Sequence, residues 1–548
     1  MANKAAAKIA RIIQPESLKS AEYQPWSLGR GTDVWAMLYA SIAGDLETIK
    51  KLVASDAGLV SCEYEYLTPL RFAVRENHED IVHFLLQKSG KTPSFGDSLV
   101  TIARDRGYKK LQHLLEAKLK EEYHIIPEGE TIAKAIRAFD LPQVYALLEE
   151  QPSLLHAADA RGNQPIHWAV LTRQVKLIDY LLERGADINA MRPDGARPID
   201  LTNGDYHYRS WYRDLPPDGL KKHEFLVGYL VAKGAYYNIS VASKMGDVDR
   251  VRTLLDEDPA LVNKLPDHVG YYSGLPLRTA AAAGHIEVVR LLLQRGANPN
   301  EPEPGIAPMG GALHSAIGGK HLAIVKLLLE HGANPNADVE SSGNCFSMAM
   351  HIGASKEMLN LIASYGGCLT VELMCYYGDI TTLATLLRMN PQTDLSSGLG
   401  SLIGEGQQQC MELVLRHQPD VLKGFMVRHI HSPAYARWLM ERGLDPRQTD
   451  WLGATLLHHS AARGDIGVAE ACIDFGADIN AIDTDYSSTP LGWAARDGRR
   501  EMVEWLLEKN ANPNLPEDES WALPVEWAKR RGHNDIAEIL QRAINKTV

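Results

Sequence analysis

Long hydrophobic runs are missing from this chain. No apolar stretch reaches the ~20 residues that a bilayer-spanning helix needs. Cysteine is scarce: Cys62, Cys345, Cys368, Cys375, Cys410 and Cys472 include no Cys-x-x-Cys pair. That spacing argues against a zinc site and reads as small buried hydrophobes in a reducing compartment. Phenylalanine is scarce too, with 8 in 548 residues beside abundant Ala and Leu, which fits thin helical layers better than one thick core. Positive charge is in deficit, 57 Lys and Arg against 69 Asp and Glu, a net charge of −12. The basic footprint of non-specific nucleic-acid or anionic-membrane binding is therefore lacking. Phosphate-loop, nucleophile-elbow and His-Glu-x-x-His signatures are also absent. Met1–Ile13 has no apolar run of signal-peptide length and reads as a capping helix. The expectation is a soluble, cytoplasmic protein with no nucleic acid, no membrane, no cofactor and no metal.

What the chain does contain is one sentence written many times. Leu275-Pro276-Leu277 opens a short Ala-rich helix, and Gly284-His285 turns the chain. Ile286–Leu293 then carry Val288, Val289, Leu292 and Leu293 as one apolar stripe at helical period. Gly296 closes the second helix, and Asn298-Pro299-Asn300 leads into an extended loop. The closing Gly or its relic recurs at Gly185, Gly234, Gly332, Gly366, Gly443, Gly476 and Asn510, with steps of 36 and 34 from Gly296 to Gly366 and of 33 and 34 from Gly443 to Asn510. A second ending uses proline, which cannot continue a helix, as in Gln151-Pro152-Ser153-Leu154-Leu155 and Asp258-Pro259-Ala260-Leu261-Val262.

The openings Gln164-Pro165-Ile166-His167-Trp168-Ala169, Ala312-Leu313-His314, Thr455-Leu456-Leu457-His458 and Thr489-Pro490-Leu491, at this period, resemble the ankyrin repeat. The resemblance runs from about residue 31 to 545. It implies an all-α ankyrin-repeat solenoid of about sixteen helix pairs with short β-hairpin-like fingers, each repeat packing on its neighbours. It also implies structural hydrogen bonds for His167, His314 and His458. Function is implied only as a binding scaffold, because the fold serves unrelated partners.

Two breaks in the rhythm divide the chain. Residues 89–128 are irregular and read as a hinge between sub-arrays. About 16 residues are inserted at 203–219 between the two helices of one repeat. The expected organisation is a capping helix and loop (1–32), an N-terminal sub-array (33–128), central repeats carrying the insert (129–392), and C-terminal repeats with a polar cap (393–548).

The fingers hold the candidate binding residues. Three to five positions before each Thr-Pro-Leu slot stand Tyr64, Tyr66, Tyr271, Tyr272, Trp451, Tyr486 and Trp521, seven aromatics in 27 positions against 7% overall. Large rings on loops suit recognition, and the bland alternative is packing on neighbouring fingers or helix starts. Asp450, Asp485 and Glu519 recur one repeat apart. Helical layers ~8–10 Å apart put such carboxylates near the ~6.5–9.5 Å separation of inverting glycoside hydrolases. Their bland role is to shape turns. His268, beside Asp267 and Tyr271, suits acid–base work if the three converge. The insert contributes Tyr208 and Trp211. The leading expectation is a non-catalytic scaffold that binds a protein or peptide through its concave face and aromatic fingers. The alternative is a small-molecule or glycan site, hydrolytic through carboxylates, built from the same fingers.

Overall fold

The computed structural model describes residues 10–89, 98–205, 208, 223–270, 273–340, 343–430 and 432–547. Among the described residues thirty α-helices form fourteen pairs and two further units in which the first helix is reduced, to the 3-10 turn Pro198–Leu201 or to turns at 421–424. The all-helical solenoid of about sixteen units is therefore present. No described helix is long and apolar enough to cross a membrane.

The repeat at 276–297 shows why this sequence folds this way. Pro276 takes the first helical position, where its missing N–H costs nothing, and the helix Pro276–Ala283 ends on Gly284 at φ 83°. A Cβ on Gly284 would also sit 2.6 Å from the His321 ring of the next repeat. That ring donates from Nε2 to the Ala282 carbonyl, 3.2 Å away. The same bond joins His285 to the Lys244 carbonyl and His78 to the Ile42 carbonyl, each at 3.0 Å. The Gly-His turn is thus a coupling between neighbours as well as a bend. The second helix, Ile286–Gln294, buries Val288, Val289 and Leu292 completely. Burial of each such side chain stabilises the layer by about 1.5–3 kcal/mol.

Asparagine makes a second ladder along the other edge. Asn300 donates to the Gly332 carbonyl at 2.8 Å and accepts from the Asn334 N–H at 2.7 Å. Asn336 does the same for Gly366 and Cys368, at 2.9 and 3.0 Å. Asn263 does so for Gly296 and Asn298, at 3.1 and 2.9 Å. Gly-Ala-Asn-Pro-Asn therefore ends one helix and pins the loop to the next repeat. The proline endings form 3-10 turns, Pro152–Leu155 and Pro259–Val262, the latter capped by Asp258.

Two of the slot histidines, His167 and His458, link repeats from within. His167 Nδ1 accepts from the Gln164 N–H while Nε2 donates to the Ala190 carbonyl; His458 does the same between Thr455 and Ser488. Burial first, then the Arg192 charge, lowers the His167 pKa to about 3. Burial first, then His459, lowers that of His458 to about 4. Both rings are neutral at pH 7.

Fingers are shorter than hairpins in most repeats. Asp338–Val339 pairs with Gly343–Asn344, and Tyr23–Gln24 with Gly29–Arg30. Elsewhere single bridges suffice, such as Tyr64 with Leu67, Gly270 with Ser273 and Thr449 with Thr455. The irregular stretch after residue 89 contains the pair Leu99–Asp105 and Lys109–Tyr123, with 90–97 outside the described residues. Its end is tied forward, because Ala158 donates to the His124 carbonyl at 2.9 Å and Ile126 to the Ala158 carbonyl at 3.2 Å. The capping helix expected at Met1–Ile13 lies outside the described residues as far as position 9, and residues 10–14 are not helical.

Two compact units result. One comprises Tyr23–Ala103 and Tyr108–Cys368; the other comprises Met1–Glu22, Arg104–Gly107 and Leu369–Val548. Buried clusters of the larger unit include those around residues 132–241 and 239–362. The smaller has one, spanning Cys375 to Leu540.

Candidate functional site

In the larger unit, the inner helices of consecutive repeats frame a cleft of about 620 Å³. These helices are Ile239–Met245, Pro276–Ala283, Ala312–Gly318 and Cys345–His351. Each buries its apolar side against its own outer helix, as Leu277, Ala280 and Ala281 do. The opposite side faces the cleft, so the lining comes in i, i+4 pairs: Arg278 with Ala282, Thr279 with Ala283, His314 with Gly318, Ser315 with Gly319, and Met348 with Ile352. Lys244 lines it from the preceding repeat, His285 from the turn after Pro276–Ala283, and His223 and Glu224 from the helix His223–Ala232.

The floor is made of small residues. Ala282, Ala283, Gly318 and Gly319 are exposed within it, which lets a ligand backbone come close. The polar lining is held from behind. Arg278 stands in the slot that histidine fills in other repeats. Its Nε donates to Glu303 at 2.7 Å, and its Nη2 donates to the Gly270 carbonyl at 2.9 Å and to the Ser273 carbonyl. Glu303 also accepts from the Leu275 N–H at 3.0 Å and is fully buried. Lys244 lines both the cleft and a second, small void that Asp200 also lines. Burial lowers the Lys244 pKa to about 8; Arg278 pushes the same way, and Asp200 and Glu224 oppose it.

The described finger rings do not line this cleft: Trp451 is buried, Tyr64, Tyr486 and Trp521 are half-buried, and Tyr66 is exposed, its hydroxyl donating to Glu340 at 2.8 Å. In the smaller unit Tyr486 and Trp521 join one aromatic chain with rings carried on helices. Trp451 is buried at its finger tip. Asp450 beside it accepts from the Leu452 and Ala454 N–H groups at 3.0 and 2.9 Å, and its other oxygen is 3.6 Å from His459 Nε2. Burial opposes ionisation of Asp450, yet the His459 and Ala454 bonds hold its pKa below the usual carboxylate range. The His459 ring meets Trp493 edge-on at 5.3 Å, Trp493 meets Tyr486 at 5.3 Å, Tyr486 meets Trp527 at 5.8 Å, and Trp527 meets Trp521 at 5.7 Å. Arg496 lies 4.3 Å over Tyr486, and Arg106 lies 4.5 Å over Trp521. Asp485 is buried, with its N–H bonded to Asp483 at 2.7 Å. Glu519 accepts from the Trp521 indole. The carboxylates of Asp450 and Glu519 are thus used as acceptors inside their own fingers.

In the larger unit, His268 Nδ1 lies 3.2 Å from the Asp194 carbonyl oxygen and 3.8 Å from its carboxylate. Asp194 is half-buried, which opposes its ionisation, but Arg192 and then His268 hold its pKa well below the usual range. Tyr208 is half-buried and meets Trp168 edge-on at 5.5 Å; its N–H donates to Asp205 at 2.7 Å. Tyr271, Tyr272 and Trp211 lie outside the described residues, as does most of the 203–219 insert. The sequence reading passed over Lys244, Ser315, Ala282, Met348 and Ile352. Their signal was present as i, i+4 spacing on each first helix, with Ala282-Ala283 and Gly318-Gly319 where bulk is absent.

Comparison with known proteins agrees with this architecture. A family model described as ankyrin repeats (3 copies) matches residues 239–339 and 425–517, and models of the ankyrin repeat match 161–190 and 65–97. Among curated proteins, palmitoyltransferase ZDHHC17 of Rattus norvegicus is 32% identical over 133 residues, and that of Homo sapiens is 36% identical over 133 residues; each match covers 24% of this chain and 20% of the relative. The putative palmitoyltransferase ZDHHC13 of Danio rerio is 39% identical over 83 residues, covering 15% of this chain and 13% of the relative. The chain thus spans no more than about a fifth of the length of these relatives, and the likeness is confined to the repeats. Helix pairs, Gly-His turns, asparagine ladders and matched segments agree: this chain is an ankyrin-repeat protein.

Proposed function

We propose that this chain is a non-catalytic recognition scaffold that takes an extended segment of a protein partner in the inner-helix cleft of its larger unit. The observation that carries this reading is the cleft itself: about 620 Å³, floored by alanine and glycine and bordered by side chains from at least four consecutive repeats. A groove that draws one or two residues from each repeat suits a linear peptide, whose residues also recur at a fixed rise. The likeness to the palmitoyltransferases is limited to repeats, so it supports recognition rather than acyl transfer. Trp451, Tyr486, Trp521 and Asp450 of the smaller unit are assigned to holding the loops of their own repeats. We read the protein as soluble and cytoplasmic, in keeping with six free cysteines, five of them buried.

The test is differential capture. Wild type and an Ala282→Trp variant, which fills the cleft from an exposed position, are used as bait for the same lysate. Proteins retained by wild type and lost from the variant support the reading. An identical set on both contradicts it. A small metabolite or glycan that raises the melting temperature of wild type and of Ala282→Trp alike, but not of Tyr486→Ala, favours the finger site instead.

A further inference from the structure

We infer that the finger face of the smaller unit is a recognition site for an adjacent Asp–Arg pair, filled by the chain's own Asp105 and Arg106, and that it takes a partner segment of the same chemistry once that pair is withdrawn.

The site begins with Asp483. Its buried carboxylate accepts from the Asp485 and Tyr486 N–H groups, each at 2.7 Å, and from the Ser488 N–H at 2.9 Å. The N–H groups of this finger are thereby drawn inward, and its carbonyls meet donors from elsewhere in the unit. Arg11 donates to the Ile482 carbonyl, and Arg106 donates to the Asp485 carbonyl at 2.5 Å. The Arg106 guanidinium also lies 4.5 Å over the Trp521 ring. That ring is set from two sides, since its indole donates to Glu519 and Trp527 meets it edge-on at 5.7 Å. A ring face beside a carbonyl acceptor suits a planar guanidinium better than an ammonium.

The neighbouring carboxylate has receptors of its own. Asp105, with its side chain 3% exposed, accepts from Arg531 at 2.9 Å and lies 3.7 Å from Arg530 Nε. Arg530 in turn donates to the Trp521 carbonyl, which ties the two halves of the site together. The receptors come from the helix Pro524–Arg531 and the fingers before it. The occupant is the short piece Arg104–Gly107, which belongs to this unit although most of the unit starts at Leu369. The last repeats thus hold Asp105 and Arg106 as they would hold a ligand, each side chain by groups of complementary chemistry. An occupant on the same chain competes at a local concentration that a free segment must exceed, so the native finger face is closed to others.

The test adds a fluorescent peptide of residues 99–110 to the full chain and reads anisotropy. An Asp105→Ala, Arg106→Ala variant, in which the site is vacated, should bind it at least about tenfold more tightly than wild type. Peptides carrying Asp105→Asn or Arg106→Lys should lose that gain, and so should Trp521→Ala added to the vacated variant. Thermal melts verify that each variant is native. Equal binding to wild type and the vacated variant overturns the inference, as does a gain that Arg106→Lys in the peptide leaves intact. A second reading does not require the vacated variant to fold. Trp521→Ala in the otherwise native chain should raise hydrogen exchange over residues 104–108, and unchanged exchange there overturns the inference too.

Discussion

The cleft of the larger unit and the aromatic chain of the smaller one use the same repeat to opposite ends. In the smaller unit the finger rings Tyr486 and Trp521 are turned onto helix rings, in a chain from His459 through Trp493, Tyr486 and Trp527 to Trp521, with guanidinium groups of Arg496 and Arg106 laid over Tyr486 and Trp521. In the larger unit the inner helices carry alanine, glycine and serine where a ligand needs room, and charge at one end. Bulk is spent on holding loops, and its absence makes the site. A conspicuous residue type is therefore a poor guide to a repeat protein's binding face, and its spacing on the inner helix is a better one.

Breaking the aromatic chain is expected to have the largest effect. Trp527 is fully buried at its centre, and Trp527→Ala removes about 3–5 kcal/mol from the smaller unit, read as a lowered denaturant midpoint. Binding at the cleft should be unchanged. On the other side of the comparison, Glu303→Ala leaves the buried guanidinium of Arg278 without its carboxylate. Because two carbonyls still accept from Arg278, the cost is taken at the lower end, about 3 kcal/mol, with local hydrogen exchange rising around the helix Pro276–Ala283.

Acid separates the two units less than it weakens both. His167 and His458 titrate at about 3 and about 4 in the fold and near 6.5 unfolded. Above pH 6.5 neither state binds the proton and nothing changes. Between about 6.5 and 4 the unfolded chain binds more protons, so stability falls as pH falls, by up to about 1.4 kcal/mol per pH unit for each ring. Replacing His458 with Gln should flatten that slope in urea titrations of the full chain. A smaller loss, about 1 kcal/mol, is expected from Asn300→Ala, which cuts two rungs of the ladder at exposed positions. The smallest is Ala282→Trp, within about 0.5 kcal/mol in stability because the position is exposed.

Most of the fold is legible in the sequence because each repeat must satisfy the same local demands. Gly284 must be left-handed, Pro276 must sit at a helix start, and Val288, Val289 and Leu292 must share a stripe. The asparagine endings are legible as turns, but their bonds to the next repeat are not, since the partners are backbone groups 30 to 35 residues away. The site is harder to read. Trp451 and Tyr486 lie on loops in both the sequence and the fold, yet loop position does not say whether a ring faces solvent or a neighbour. That depends on Trp493 and Trp527, which come from the helices Pro490–Arg496 and Pro524–Arg531. The cleft depends on small residues, whose message is space, and space appears only once the inner helices are set side by side.

The most direct test of the central claim compares the two regions in one experiment. A photo-crosslinking amino acid is placed at Ala283, in the cleft, or at Tyr486, in the aromatic chain, and the full chain is irradiated in lysate. Adducts of a defined partner at position 283, and few or none at 486, are the predicted result. Adducts concentrated at 486, with none at 283, would contradict the account and return recognition to the fingers.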